Sequence, residues 1–239
     1  MQFNETKTYQ NLARTFAGES QAGMRYQMTA GLAMKEGYKI LSDVIRSIAK
    51  NETHHAKAVF EYMIGKGGSV DNVEIRAGYP FHAGDLLENL RLAAEDEREE
   101  EEKIYPKFAR IAREEGFDDI AGTFERIAAI EGNHKTVFAY LYDGLKNGTL
   151  YKQDKPALWV CSECGYMHTA TEAWNICPVC KQPQGYVELH IPFQKEKVLW
   201  KNKRKTQRNV TAASARKTDS PTKKTHVGRK SPRTAVKHV

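Results

Sequence analysis

Residues 41–63 read LSDVIRSIAKNETHHAKAVFEYM. Leu41, Ile45, Ile48, Val59 and Met63 recur at steps of three and four, the mark of a helix with one face turned to a bundle core. The middle of that seam falls on Glu52 and His55. A carboxylate at a core-facing position is costly unless it is paired or bound to a metal. The stretch therefore points both to a helical bundle and to something charged inside it.

Three further seams repeat the pattern. Leu12, Phe16, Tyr26 and Ala30 continue onto Glu19. Leu90, Ala93, Ile104, Phe108 and Ile111 continue onto Glu97 and Glu100, and Ile120, Phe124, Ile127, Phe138, Leu141 and Leu145 onto Glu131 and His134. Gly37 and Gly116 separate the members of each helix pair, and Gly65 through Pro80 forms a longer connection between the pairs. Short, long and short connections predict a ferritin-like four-helix bundle over residues 1–149. Pro106, inside the third helix, should bend it by removing a hydrogen bond.

Seven polar groups at one level of four helices lack positive partners on those faces, so a cation is the natural compensation. Residues three apart on a helix lie about 4.5 Å apart along the axis and roughly 60° around it. Glu52 with His55, and Glu131 with His134, can each aim at one metal while the glutamates reach a second. Carboxylate and imidazole ligands suit iron or manganese. The chain also echoes itself: Glu19 precedes Glu52 by 33 residues and Glu97 precedes Glu131 by 34. Within the acidic run 95–102, Glu99 and Glu102 should point outward, and Glu101 is the rival to Glu100. His54 falls off the seam.

From Leu150 the texture changes to short β-prone runs, 158–160 and 186–191, around Gly, Pro and Cys. All four cysteines lie here, as Cys161/Cys164 and Cys177/Cys180, two Cys-x-x-Cys knuckles with 12 residues between them. Such clustering favours a tetrahedral metal site over a disulfide framework. Iron and a structural zinc use the same geometry; the neighbouring bundle and Trp159, Tyr166 and Trp174 favour iron. A domain over 150–195 needs that metal, since some 40 residues bury too little surface unaided.

The formal charge of +7 conceals a division. Residues 201–239 hold 13 of the 37 Lys and Arg against one acid, Asp219, leaving 24 against 29 in residues 1–200. The tail over 196–239 is expected to be disordered when free, and its charge keeps open a salt-sensitive, non-specific contact with nucleic acid. No apolar run approaches the roughly 20 residues that span a bilayer, and the N-terminus lacks an apolar signal stretch. No membrane contact is expected, and a soluble, cytoplasmic protein is.

Phe16-Ala-Gly-Glu-Ser-Gln-Ala22, Tyr105-Pro-Lys-Phe-Ala-Arg-Ile-Ala-Arg-Glu-Glu-Gly-Phe117 and Cys161-x-x-Cys-Gly-Tyr…Cys-Pro-x-Cys180 resemble the rubrerythrins over residues 4 to about 192. The resemblance implies a non-haem peroxidase that reduces hydrogen peroxide to water at a di-iron centre. Electrons would arrive through a rubredoxin-like iron on Cys161, Cys164, Cys177 and Cys180. It implies Glu19, Glu52, His55, Glu97, Glu100, Glu131 and His134 as ligands, with Glu52 and Glu131 bridging and His55 and Glu100 exchanging at one iron. Tyr26 and Tyr105 match tyrosines that hold the glutamates. A homodimer or larger assembly and a rubredoxin or flavoprotein reductase as donor are implied too, with zinc or manganese as possible substitutes for iron. Lys103 departs from the acid often found there, and the tail after Trp200 is foreign to the family. Iron oxidation or storage in a larger shell is the alternative reading; the appended cysteine domain argues against it.

Overall fold

The computed structural model describes residues 2–67, 72–81 and 83–192. Helices α1 (Lys7–Lys35) and α2 (Lys39–Gly67) form one hairpin. A second is formed by α3 (Leu86–Glu99), a π turn (Glu100–Ile104) and α4 (Tyr105–Glu114) packed on α5 (Asp118–Lys146). The basic tail lies outside the described residues, so its expected disorder has no counterpart here. Among the described residues no helix is long and apolar enough to cross a membrane.

Local chemistry sets the helix ends. The Thr6 hydroxyl accepts from the Tyr9 N–H, and Asp85 accepts from the Glu88 N–H, capping α1 and α3. Glu115 takes the free N–H groups of Lys7 and Thr8 at 3.0 and 2.8 Å, which ties the start of α1 to the α4–α5 turn. Both hairpins turn through a left-handed glycine, Gly37 at φ 85° and Gly116 at φ 83°. In each, the next residue closes a hydrogen bond back onto the helix, Tyr38 to Ala33 and Phe117 to Ala112.

The π turn explains a numerical oddity of the sequence. From Glu19 to Tyr26 is seven residues and from Glu97 to Tyr105 is eight; from Glu19 to Gly37 is 18 and from Glu97 to Gly116 is 19. The second hairpin thus carries one extra residue between Glu97 and Tyr105, and the π turn lies in that interval. There the Tyr105 N–H reaches the Glu100 carbonyl, one residue further back than in an α-helix. Beyond it the two hairpins are in step again, since Glu52 and Glu131 each follow their turn glycine by 15 residues. The third seam is thus a helix interrupted by a π turn that ends just before Pro106. The proline stands in the first turn of α4.

Two apolar layers fill the bundle. One holds Leu12, Val59, Phe124 and Ile127; the other holds Leu41, Ile45, Phe138 and Leu141. Along each helix the layers are separated by a level of buried polar groups: Glu19, Glu52, His55, Glu97, Glu131 and His134.

The second layer extends beyond the bundle. Strand β1 (Lys152–Val160) pairs antiparallel with β2 (Met167–Glu172), Trp159 opposite His168. Leu150, Tyr151, Trp159, Ala173 and Val187 of this region join the core of Leu41 and Phe138. Trp159 is fully buried and donates its indole N–H to the Ala170 carbonyl. The β-prone run 186–191 is not a strand. Its start belongs to a 3-10 turn (Gln184–Tyr186), and only Val187 makes a bridge, to Cys161. The observed partner of β1 is instead 167–172, whose polar, exposed residues gave no apolar signal.

The cysteine region rests on the α1–α2 turn. Lys39 faces Glu163 at 4.0 Å, and Gly185 packs so tightly on Gly37 that a Cβ there would collide with the Gly37 carbonyl. Gly185→Ala should therefore destabilise the chain by about 1–3 kcal/mol, as overpacking does. Thermal unfolding of the two proteins side by side checks this, and an unchanged melting temperature would show that the contact yields freely.

Candidate metal centres

The polar level of the bundle resolves into two groups whose donor atoms lie within 4.8 Å of one another: Glu19, Glu52, His55 and Glu131, and Glu52, Glu97, Glu131 and His134. Glu52 and Glu131 belong to both. His55 Nδ1 lies 3.0 Å from Glu52 Oε2, 3.1 Å from Glu131 Oε1 and 3.4 Å from Glu19 Oε2. His134 Nδ1 lies 2.9 Å from the other oxygen of Glu52, 2.7 Å from the other oxygen of Glu131 and 3.7 Å from Glu97 Oε2. Each shared carboxylate thus gives one oxygen to each histidine. The rings stack with centroids 5.9 Å apart.

Donor directions show what such a cluster fits. His134 Nδ1 and both oxygens of Glu131 are buried and close together, yet they form no properly oriented hydrogen bond. Glu19 Oε2, Glu52 Oε1 and Glu97 Oε2 are in the same position. Only His55 Nδ1 and Glu52 Oε2, at 3.0 Å, are oriented as a hydrogen bond within the cluster; the other donors crowd common points unsatisfied, which suits cations. The carboxylate and imidazole set fits a pair of irons.

Tyrosines hold the outer carboxylates crosswise. Tyr26 on α1 donates to Glu97 on α3 at 2.6 Å, and Tyr105 on α4 donates to Glu19 on α1. Burial, then the charge of the adjoining glutamate, keeps both phenols protonated far above their ordinary range. Asn51 adds an asymmetry: its amide lies 3.2 Å from His134 Nε2. Its counterpart one residue before Glu131 is Ile130, whose side chain has no polar atom to offer His55. The spacing rule that finds ligands does not find Asn51, because it sits off the apolar seam.

Glu100 stands in neither group. It is half-buried at the start of the π turn, and burial, followed by the charges of Glu19, Glu97, Glu131 and Glu52, raises its carboxyl well above the carboxylate range. Its rival Glu101 points elsewhere, bonding Lys135 above Gly132, whose missing side chain makes the room. Glu99, Glu102 and His54 are exposed.

The four cysteine sulfurs form a third group. Cys161 and Cys180 lie 3.6 Å apart, Cys164 and Cys177 3.7 Å. A tetrahedron of sulfurs about 2.3 Å from one metal has edges of roughly 3.8 Å, so the spacing fits an ion and is far too long for disulfides. The knuckles share one backbone: Gly165 and Lys181 are left-handed, at φ 71° and 66°, and donate to the carbonyls of Cys161 and Cys177. Burial disfavours a thiolate at Cys177, but the N–H groups of Cys180 and Val179 prevail and pull its pKa to about 6.

Fold and sites together define a ferritin-like bundle joined to a rubredoxin-like ribbon, an iron-binding architecture. A family model described as Rubrerythrin matches residues 10–142, and one described as Rubrerythrin, rubredoxin-like domain matches 159–188. Rubrerythrin-1 of Clostridium acetobutylicum is 40% identical over 185 residues, 77% of this chain and 94% of its own length. Rubrerythrin of Nitratidesulfovibrio vulgaris is 38% identical over the same shares. A structure of partially reduced nigerythrin matches with TM-score 0.52 at 24% identity, covering 79% of this chain and 92% of that one, a likeness of fold. The chain belongs to the rubrerythrin family.

The metal-free cluster stores protons. Burial raises Glu19 and Glu97 well above the carboxylate range. Burial works against a charged His55, but Glu131, Glu19 and Glu52 outweigh it and hold the imidazole near 12; His134 is raised in the same way. Burial also works against an ionised Glu52, yet both histidines pull it down to about 2. Glu19 and Glu97 bind protons more tightly folded than unfolded, so their support for the metal-free fold fades as pH rises above the ordinary 4.5. Ferrous loading must expel these protons. Affinity should thus climb as pH rises above the ordinary carboxyl value of 4.5, and calorimetry in two buffers of different ionisation heat should report net proton release. A heat independent of buffer would contradict it.

Proposed function

We propose that the chain reduces hydrogen peroxide to water at the bundle centre, with electrons passed one at a time through the cysteine site. The observation that carries this reading is the division of Glu52 and Glu131, each giving one oxygen to either histidine. Two irons held there would supply the two electrons that cleavage of an O–O bond consumes, and iron on Cys161, Cys164, Cys177 and Cys180 a one-electron relay with no open position.

The chain's own groups then have distinct tasks. Glu52 and Glu131 would be shared between the two metals, Glu19 with His55 and Glu97 with His134 would hold the two ends, and Tyr26 and Tyr105 keep Glu97 and Glu19 from swinging. His55 and Glu100 are the two residues that would alternate as holders of one metal. In support, His134 is anchored by Asn51, and Glu100 stands beside the cluster but outside it. Asn51 Nδ2 lies 3.2 Å from His134 Nε2, on the side of the ring away from Glu52 and Glu131.

The relay acts between subunits. The cysteine ribbon rests at the start of α2, near Lys39, whereas Glu52 lies 13 residues further on, about 20 Å along the helix. A homodimer that brings one ribbon to the partner's centre shortens the path, and a rubredoxin or flavoprotein reductase would reload the ribbon.

Cys161 is buried and holds one corner of the sulfur tetrahedron. Cys161→Ser should leave oxidation of the chemically reduced bundle by hydrogen peroxide intact, while steady-state turnover with an external donor falls to background. Unimpaired turnover in iron-loaded Cys161→Ser would remove the relay, and a reduced wild-type protein inert to peroxide would remove the peroxidase.

A further inference from the structure

A cavity of about 400 Å³ lies between α1, the segment 77–80 and the third helical rod. Its buried end is made by Thr15 and Tyr105, with Glu100 beside them; its rim carries the exposed Gly78, Lys103 and Lys107. Tyr79, Pro80, Ile104 and Phe108 give it apolar walls. The inner end thus lies beside Glu100 and beside Tyr105, which grips Glu19 of the cluster.

Two features mark it as more than a passage for peroxide. Its volume is in the range of pockets for small organic ligands, about 300–1,000 Å³, while a water in the liquid fills only about 30 Å³. Thr15 is 3% exposed, and its hydroxyl has no hydrogen-bond partner among the described residues. A buried hydroxyl without a partner, beside an apolar wall, suits a ligand with one oxygen-bearing end and one hydrocarbon end.

Building on the peroxidase reading, we infer that this cavity admits organic hydroperoxides, the hydrocarbon group lying against Tyr79 and Phe108 and the hydroperoxide meeting Thr15 and the cluster. The reaction is ROOH plus two electrons and two protons giving ROH and water. The O–O bond breaks, each of two ferrous irons gives one electron and becomes ferric, and the alkoxide and hydroxide formed take one proton each. The ferrous state is restored by two electrons through the cysteine iron.

The test uses the full chain, iron-loaded and reduced without air, mixed in stopped flow with hydrogen peroxide or cumene hydroperoxide. Cumene hydroperoxide should reoxidise the centre within about tenfold of the hydrogen peroxide rate, yielding one cumyl alcohol per two electrons. Gly78 faces open space at the rim without a left-handed backbone. Gly78→Trp should slow cumene hydroperoxide by at least about tenfold, the scale on which an apolar pocket discriminates, and leave hydrogen peroxide within about twofold. Independently of turnover, cumyl alcohol added to zinc-loaded wild type should shift the amide resonances of Thr15, Gly78 and Lys107. If hydrogen peroxide reacts while cumene hydroperoxide does not and cumyl alcohol shifts nothing, the cavity is only a solvent path and the inference fails. Equal slowing of both oxidants by Gly78→Trp also overturns it. If neither oxidant reacts, the peroxidase reading falls with it.

Discussion

Four carboxylates and two imidazoles share one buried level of the bundle, between two apolar layers. Ionised carboxylates in such a place repel each other and lose their water, so the cluster stays folded only with protons or cations among the oxygens. The raised carboxyls of Glu19, Glu97 and Glu100 and the raised histidines are the proton solution. The converging lone pairs of Glu52, Glu131 and His134 point to the cation solution. The crossed tyrosines and the symmetric turn glycines serve that one requirement, because they bring four helices to a common level.

Against this symmetry, a single residue makes the difference. The extra position between Glu97 and Tyr105 is absorbed as a π turn, so Tyr105 still reaches Glu19 as Tyr26 reaches Glu97. Glu100 begins that turn, an acid with no counterpart on α1, where the equivalent position three residues after Glu19 is Ala22. The same stretch lines the cavity behind Thr15. One face of the centre thus carries a spare carboxylate where the symmetry-related position holds Ala22.

The cysteine ribbon is stapled twice. Its sulfurs stand at the separations one tetrahedral ion requires, and its Trp159, Tyr151 and Val187 share the core of α2 and α5. A ribbon with one two-stranded sheet has little interior of its own. Borrowing the bundle's apolar layer gives it a fixed seat, with the close approach of Gly185 to Gly37 setting the distance.

Helix count, hairpin turns, the polar level and both cysteine knuckles were legible in the sequence, because each is a local or periodic signal. Seams recur every three or four residues, left-handed turns call for Gly37 and Gly116, and a knuckle is a four-residue motif. What only the tertiary structure decided depends on which surfaces meet. Glu101 and Glu100 are neighbours in the same acidic run, and only the partner Lys135 and the gap at Gly132 send one outward. Asn51, off the seam, becomes a neighbour of His134 through packing of α2 against α5. The strand 167–172 was missed and the run 186–191 was overread, since burial in the ribbon comes from docking and not from alternation along the chain. Periodicity states which residues face inward; only the packed helices and ribbon state what each one meets there.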